Sequence, residues 1–297
     1  MIRICEVGPR DGLQTENTFF SVEQKVEMIK RLTAAGLKKI EAVSFVNPRV
    51  MPQMAGAEEV LARLPRAEGV SYAGLVLSRS GLERALATSV DTLHVVLAAS
   101  DELNRRNSRR TVEQSCQELV PVIREAAAAG RNVVGVLGTS FGCPYEGNIP
   151  LCRVLKIASL FCEAGCREIT LADTAGLAHP QQVRETVREF RKSFGNVDLG
   201  LHFHNTRGLG LANVYAGYLE GVVRFDSSIG GLGGCPFTPK ASGNVCTEDL
   251  VNMFHQMGET TGTDLEKLVE TARWVQTQAG RQLDGMVMKI GNGSANG

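Results

Sequence analysis

A short pattern recurs four times along this chain: an Ala-rich or apolar helical stretch, a glycine, then a β-branched run. The copies are residues 32–36 before 39–43, 126–130 before 133–136, 162–165 before 168–171, and 218–221 before 222–225. Glycine after a helix tolerates the left-handed conformation that closes its last turn, and the short gap suits a helix-to-strand loop. Further runs of strand character lie at residues 2–7, 71–77, 92–98 and 197–203, with helical patterns between them. Ser21-Val22-Glu23-Gln24 has the spacing of a capping box opening the first helix. Eight alternating units favour a (β/α)8 barrel, closed by a short C-terminal helical extension, over an open doubly wound sheet.

Size and charge fit that expectation. The 297 residues are 43% hydrophobic, enough for one large core, and no Pro/Gly/Ser-rich linker divides them. One catalytic domain over residues 1–290 is expected, with a flexible tail at 291–297. Lys and Arg balance Asp and Glu at zero net charge, which argues against a nucleic-acid partner. No apolar run is long enough for a membrane span, and the chain enters a strand at once, leaving no room for a targeting peptide. Eight cysteines without paired CxxC spacing read as reduced thiols of a cytoplasmic protein. Cys162 and Cys166 read as packing residues, and assembly into a homo-oligomer is left open.

In such a barrel the active site forms where the strands end. The predicted strand ends and the loops after them carry Arg10, Asp11, Ser44, Ser100, Ser140, Asp173, His202, His204, Ser227 and Ser228. The histidines of Leu201-His202-Phe203-His204-Asn205 are two apart on a strand, so both rings point the same way. With Asp11 and Asn244 they make a mixed oxygen and nitrogen set that suits a divalent Mg or Mn ion better than a closed structural zinc site. Arg10 could hold a carbonyl oxygen that becomes an enolate, or simply pair with Glu41 or Asp173. Four glycines in residues 230–234 present Cys235 on a loop, where a thiol could serve as acid or base. Cys143 has weaker claims. The run from Asn104 to Arg110 holds four arginines that could meet the phosphates of an acyl-CoA, and a solvated helix entry is the plainer reading. Asn107 in that run and Ser44 are candidate substrate contacts.

Taken together, six segments resemble the DRE-TIM metallolyase superfamily, and most closely its 3-hydroxy-3-methylglutaryl-CoA (HMG-CoA) lyases. They are EVGPRDGLQTE from Glu6, IEAVSFVNPRVMPQM from Ile40, GCPYEG from Gly142, LADTAG from Leu171, HFHNTRGLGLAN from His202 and GLGGCPFTPKASGNVCTEDL from Gly231. The resemblance implies a metal-dependent retro-Claisen cleavage of an acyl-CoA. It implies Arg10 at the enolate, Asp11, His202, His204 and Asn244 as metal ligands, and Cys235 as the catalytic thiol. Glu41, Asp173 and Glu248 fall on acidic positions that support the site. Asn205-Thr206-Arg207 and Thr238-Pro239-Lys240 depart from the usual lyase residues and bear on the acyl group more than on the reaction. A Claisen-type synthase of the same superfamily is the competing enzyme; Asn205 suits it, whereas the segment from Gly8 to Gln14 and the end of the chain at Gly297 favour the lyase. A barrel that binds acyl-CoA without turnover is the non-enzymatic alternative.

Overall fold

The computed structural model describes residues 1–234 and 243–290. Eight parallel strands close into a barrel in chain order. They are β1 (Arg3–Glu6), β2 (Lys39–Ser44), β3 (Ser71–Val76), β4 (Thr92–Ala98), β5 (Asn132–Gly138), β6 (Glu168–Asp173), β7 (Asp198–Phe203) and β8 (Arg224–Ser227). The helices around it begin with α1 (Val22–Ala34), α2 (Ala57–Arg63), α3 (Arg79–Leu86), α4 (Asp101–Ser108) and α5 (Val112–Ala128). They continue with α6 (Leu151–Ala164), α7 (Pro180–Ser193), α8 (Gly210–Leu219), α9 (Thr247–Gln256) and α10 (Leu265–Ala279). The barrel and the C-terminal helical extension agree with the alternation read from the sequence. The 291–297 tail lies outside the described residues.

The recurring glycines do one job four times. Gly36, Gly130, Gly165 and Gly221 all take positive φ. Behind each, the next amide reaches back to the helix: Leu37 to the Leu32 carbonyl, Arg131 to Ala126, Cys166 to Phe161 and Val222 to Gly217. This closure satisfies carbonyls that the helix end leaves open. At the last copy it also explains a shift: Val222 is spent on the cap, so β8 runs from Arg224 to Ser227, two residues later than the apolar pattern predicts. The capping box at α1 is present, Ser21 and Gln24 bonding reciprocally.

Between strands and helices lies a continuous apolar core including Phe161, Phe190 and Phe225. Gly135 on β5 lets Phe161 pack close against the strand, since a Cβ there would meet its ring at 2.7 Å. Buried aromatic side chains of this size typically stabilise a domain by about 3–5 kcal/mol each relative to alanine. Among the described residues no helix is long and apolar enough to cross a membrane.

Candidate metal centre and active-site cavity

The first candidate ligand, Asp11, arises from an unusual turn. After β1 the backbone makes a single wide turn, Gly8–Gly12, in which the Val7 carbonyl accepts from the amides of Arg10, Asp11 and Gly12. Such wide turns re-aim side chains and recur at functional sites. Here Arg10 and Asp11 line a cavity of about 460 Å³ at the strand ends. The Arg10 guanidinium donates from Nε to Glu41 Oε2 at 2.6 Å and from Nη1 to Asp11 Oδ1 at 2.8 Å. Burial opposes its charge, yet the two carboxylates raise its pKa above the ordinary arginine value.

Strand periodicity supplies the second and third candidate ligands. His202 and His204 leave the end of β7 side by side, ring centroids 5.2 Å apart. The fourth is delivered by backbone pairing: Asn205 donates to the Gly243 carbonyl and Val245 to the Phe203 carbonyl, so Asn244 bridges opposite His204. Asn244 Nδ2 then donates to Asp11 Oδ2 at 2.8 Å and to the Leu232 carbonyl at 3.1 Å. Room for this is left by Gly233, where a Cβ would stand 2.7 Å from Asn244 Nδ2.

The donor set fits a divalent cation on three counts. Atoms of Asp11, His202 and His204 lie within 4.8 Å of one another. Asn244 Oδ1 and His204 Nδ1 are buried and, among the described residues, have no hydrogen-bond partner. Such orphaned atoms are rare unless water or an ion meets them. The protonation states also suit an ion. Burial works against the Asp11 charge, but Arg10, His202 and His204 hold its pKa well below the usual carboxylate range. Burial and the neighbouring His202 push His204 down to about 4, so it is neutral at physiological pH. His202 is the exception: burial favours its neutral form, but Asp226 outweighs this and raises its pKa. Its Nδ1 lies 3.2 Å from Asp226 Oδ2 on β8. A carboxylate on one ring nitrogen fixes the other for coordination, as in carboxylate–histidine–metal triads.

Among the cavity residues that sequence reasoning missed, two pair with its candidates. Asp226 is one. The other is His94 on β4, whose Nδ1 lies 2.9 Å from Glu41 Oε1. Both line the cavity. Burial opposes the Glu41 charge too, and Arg10 and His94 together hold its pKa below the usual value.

Other candidates stand elsewhere. Ser44 is buried and accepts from the Val46 amide, and it does not line the cavity. Asp173 ends β6, where its carboxylate accepts from the amides of Leu177 and Ala178 at 2.7 and 3.0 Å; it holds the following loop and makes no pair with Arg10. Burial pushes its pKa up to about 6. Glu248 opens α9 beneath the glycine loop and accepts from the Gly230 amide at 3.0 Å, away from the cavity wall. Burial pushes it up to about 8. The rim serines also turn to local structure: Ser100 caps α4 and takes the Cys143 thiol at 3.0 Å, while Ser140 donates to the Leu137 carbonyl. Asn107 is exposed at the cavity mouth, together with Arg106 and Arg110. Cys235 lies outside the described residues, as do Thr238, Pro239 and Lys240.

The HMGL-like family model matches residues 1–275. The chain is 42% identical over 279 residues to a hydroxymethylglutaryl-CoA lyase of Pseudomonas mevalonii, covering 94% of this chain and 93% of the relative. It is 40% identical to the (R)-citramalyl-CoA lyase of Chloroflexus aurantiacus, covering 98% and 95%. Among solved structures, an HMG-CoA lyase of Acinetobacter baumannii in complex with coenzyme A and 3-methylmalate superposes with a TM-score of 0.94 at 40% identity, covering 99% of this chain and 96% of that one. By sequence and by fold, this chain belongs to the HMGL-like family.

Proposed function

We propose that the protein is a divalent-cation-dependent lyase that cleaves HMG-CoA into acetoacetate and acetyl-CoA. The observation that carries this reading is the meeting of Asp11, His202 and His204 beside Arg10 in one cavity, with Asn244 bonded to Asp11. A mixed set of two oxygens and two imidazole nitrogens with no thiolate favours Mg or Mn over a closed structural zinc site. Such an ion supplies Lewis acidity at the tertiary hydroxyl and a carboxylate oxygen of the substrate.

The chain's own groups account for the rest. His202 or Asp11 is assigned the base that takes the hydroxyl proton, the O–H electron pair becomes the π bond of the ketone, and the C2–C3 bond pair passes into the thioester as an enolate. Arg10, oriented by Glu41 and kept charged by it, donates to the enolate oxygen. Cys235 is assigned the proton that returns to C2 and completes acetyl-CoA. At the mouth, Arg106 stacks 4.0 Å over the Tyr145 ring, and this basic edge of α4, with Asn107 and Arg110, is assigned the coenzyme A phosphates.

A citramalyl-type acyl group is the second reading, favoured by the nearly equal identity to the Chloroflexus enzyme. The test is one assay. Purified protein with Mg or Mn should release acetyl-CoA from HMG-CoA, lose that activity on chelation and regain it on adding either ion. Consumption of acetyl-CoA with an α-keto acid, and no release from HMG-CoA or citramalyl-CoA, refutes the lyase. The keto acid released distinguishes the two acyl groups.

A further inference from the structure

Two of the three guanidinium nitrogens of Arg10 are occupied by the protein. Nε donates to Glu41 Oε2 and Nη1 to Asp11 Oδ1; among the described residues the side chain makes no other hydrogen bond, so Nη2 is left for the cavity. A carboxylate seated on Nε has a second choice, because Nη2 lies on the same edge of the guanidinium and two N–H groups match two carboxylate oxygens. Three other pairs in this protein take that two-pronged form: Arg84 with Glu58, Arg188 with Glu220 and Arg281 with Glu16. Glu41 does not, and the reason stands on β4. Its second oxygen, Oε1, faces His94 Nδ1 at 2.9 Å, with both side chains buried. Burial opposes the Glu41 charge, but Arg10 and His94 outweigh it and hold the carboxylate ionised. An ionised carboxylate can only accept, so Nδ1–H donates whether Nε2 carries a proton or not.

We propose that His94 is a positioning residue for the cleavage: by holding Glu41 Oε1 it prevents a two-pronged grip on Arg10 and keeps Nη2 free to donate to the enolate oxygen. This rests on the lyase reading above, in which Arg10 stabilises the enolate. The register partners of His94 on β3 and β5 are Leu75 and Val134, whose side chains have no donor to take its place. Without the imidazole, Oε1 is a buried acceptor that satisfies itself by swinging onto Nη2. Nη2 then faces Glu41 at the moment when charge develops on the substrate oxygen, and the donor is lost where it matters most.

The experiment measures steady-state cleavage of HMG-CoA, with Mg or Mn present, by the native enzyme, His94→Val and His94→Asn. Thermal melts check that each variant folds; should His94→Val fail to fold, His94→Leu, closer in volume, makes the same removal. Loss of the Nδ1 donor should lower kcat by about tenfold or more while KM stays within about threefold, the pattern of a contact made only in the transition state. His94→Asn sets an amide N–H near the position of Nδ1 and should restore kcat toward native. A crystal structure of His94→Val should show Glu41 bridging Nε and Nη2 of Arg10. A folded His94→Val enzyme with a smaller loss of kcat overturns the proposal, as does a loss carried by KM alone, or a His94→Asn enzyme as impaired as His94→Val. Failure of the lyase reading has its own signature: a native protein that releases acetyl-CoA from no thioester, including HMG-CoA. The crystal structure of His94→Val decides even then, since Glu41 still holding Arg10 by Oε2 alone overturns the inference whatever the activity.

Discussion

The two mouths of the barrel carry similar charges and treat them in opposite ways. At the N-terminal mouth, around a cavity of about 350 Å³, Lys39 Nζ pairs with Glu168 at 2.7 Å, and Arg224 pairs with both Glu168 and Asp198. At the C-terminal mouth, Arg10, Asp11, Glu41, His94, His202 and Asp226 are just as densely charged. Yet Asn244 Oδ1, His204 Nδ1 and His94 Nε2 are buried there without hydrogen-bond partners among the described residues. Concavity and charge are common to both ends. What separates a working site from a structural plug is unfilled hydrogen-bonding and ligating capacity, held in place by groups that are themselves satisfied.

The largest break in that comparison comes from Arg10→Met. With the pairing to Glu41 and Asp11 gone and no donor for the enolate, kcat/KM for HMG-CoA should fall by about 10²–10³-fold. A loss of less than about tenfold in steady-state assays, with the fold intact, removes Arg10 from the chemistry.

Next in size is a pH effect confined to the catalytic mouth. Burial raises Glu6 to about 7 and Glu248 to about 8 from an ordinary 4.5. The unfolded chain ionises first, so the stability these neutral groups contribute is full below about 4.5 and is lost as pH rises through 7 and 8. Melting temperature should drop by about 5 °C between pH 5 and pH 8, and Glu248→Gln should flatten that slope. An equal slope in the variant would assign the effect elsewhere.

Smallest is the opposite mouth. Lys39→Met leaves Glu168 with Arg224, and because the pair is partly solvated the cost is about 1 kcal/mol. That lowers the melting temperature by about 2–4 °C. Turnover should stay within about twofold of native, because Lys39 pairs with Glu168 and not with Asp226, the residue that both mouths share. A large loss of activity would erase the distinction between the two ends.

How legible the site was depends on how each residue acts. The β7 histidines are visible because strand periodicity puts two ligating rings on one face, and the barrel because the helix–glycine–strand unit repeats. Asp11 and Asn244 required the motif as a whole, since only the closed barrel brings the Gly8–Gly12 turn against the 243–245 segment. Asp226 and His94 were legible in principle as polar residues within strands, His94 among the apolar residues of β4, but no local spacing tells which strand they face. Ser44, Asp173 and the rim serines mislead for the converse reason. A polar residue at a strand end serves its own loop as readily as a ligand, and sequence does not show which amides lie within reach.

The four glycine closures behind α1, α5, α6 and α8 are made by main-chain atoms alone. Apart from the glycine, no particular side chain is needed to turn the polypeptide at those points. Surface drift, charge swaps or tags placed near these turns should thus leave the fold untroubled. The same liberties taken across the cylinder would retune what it binds.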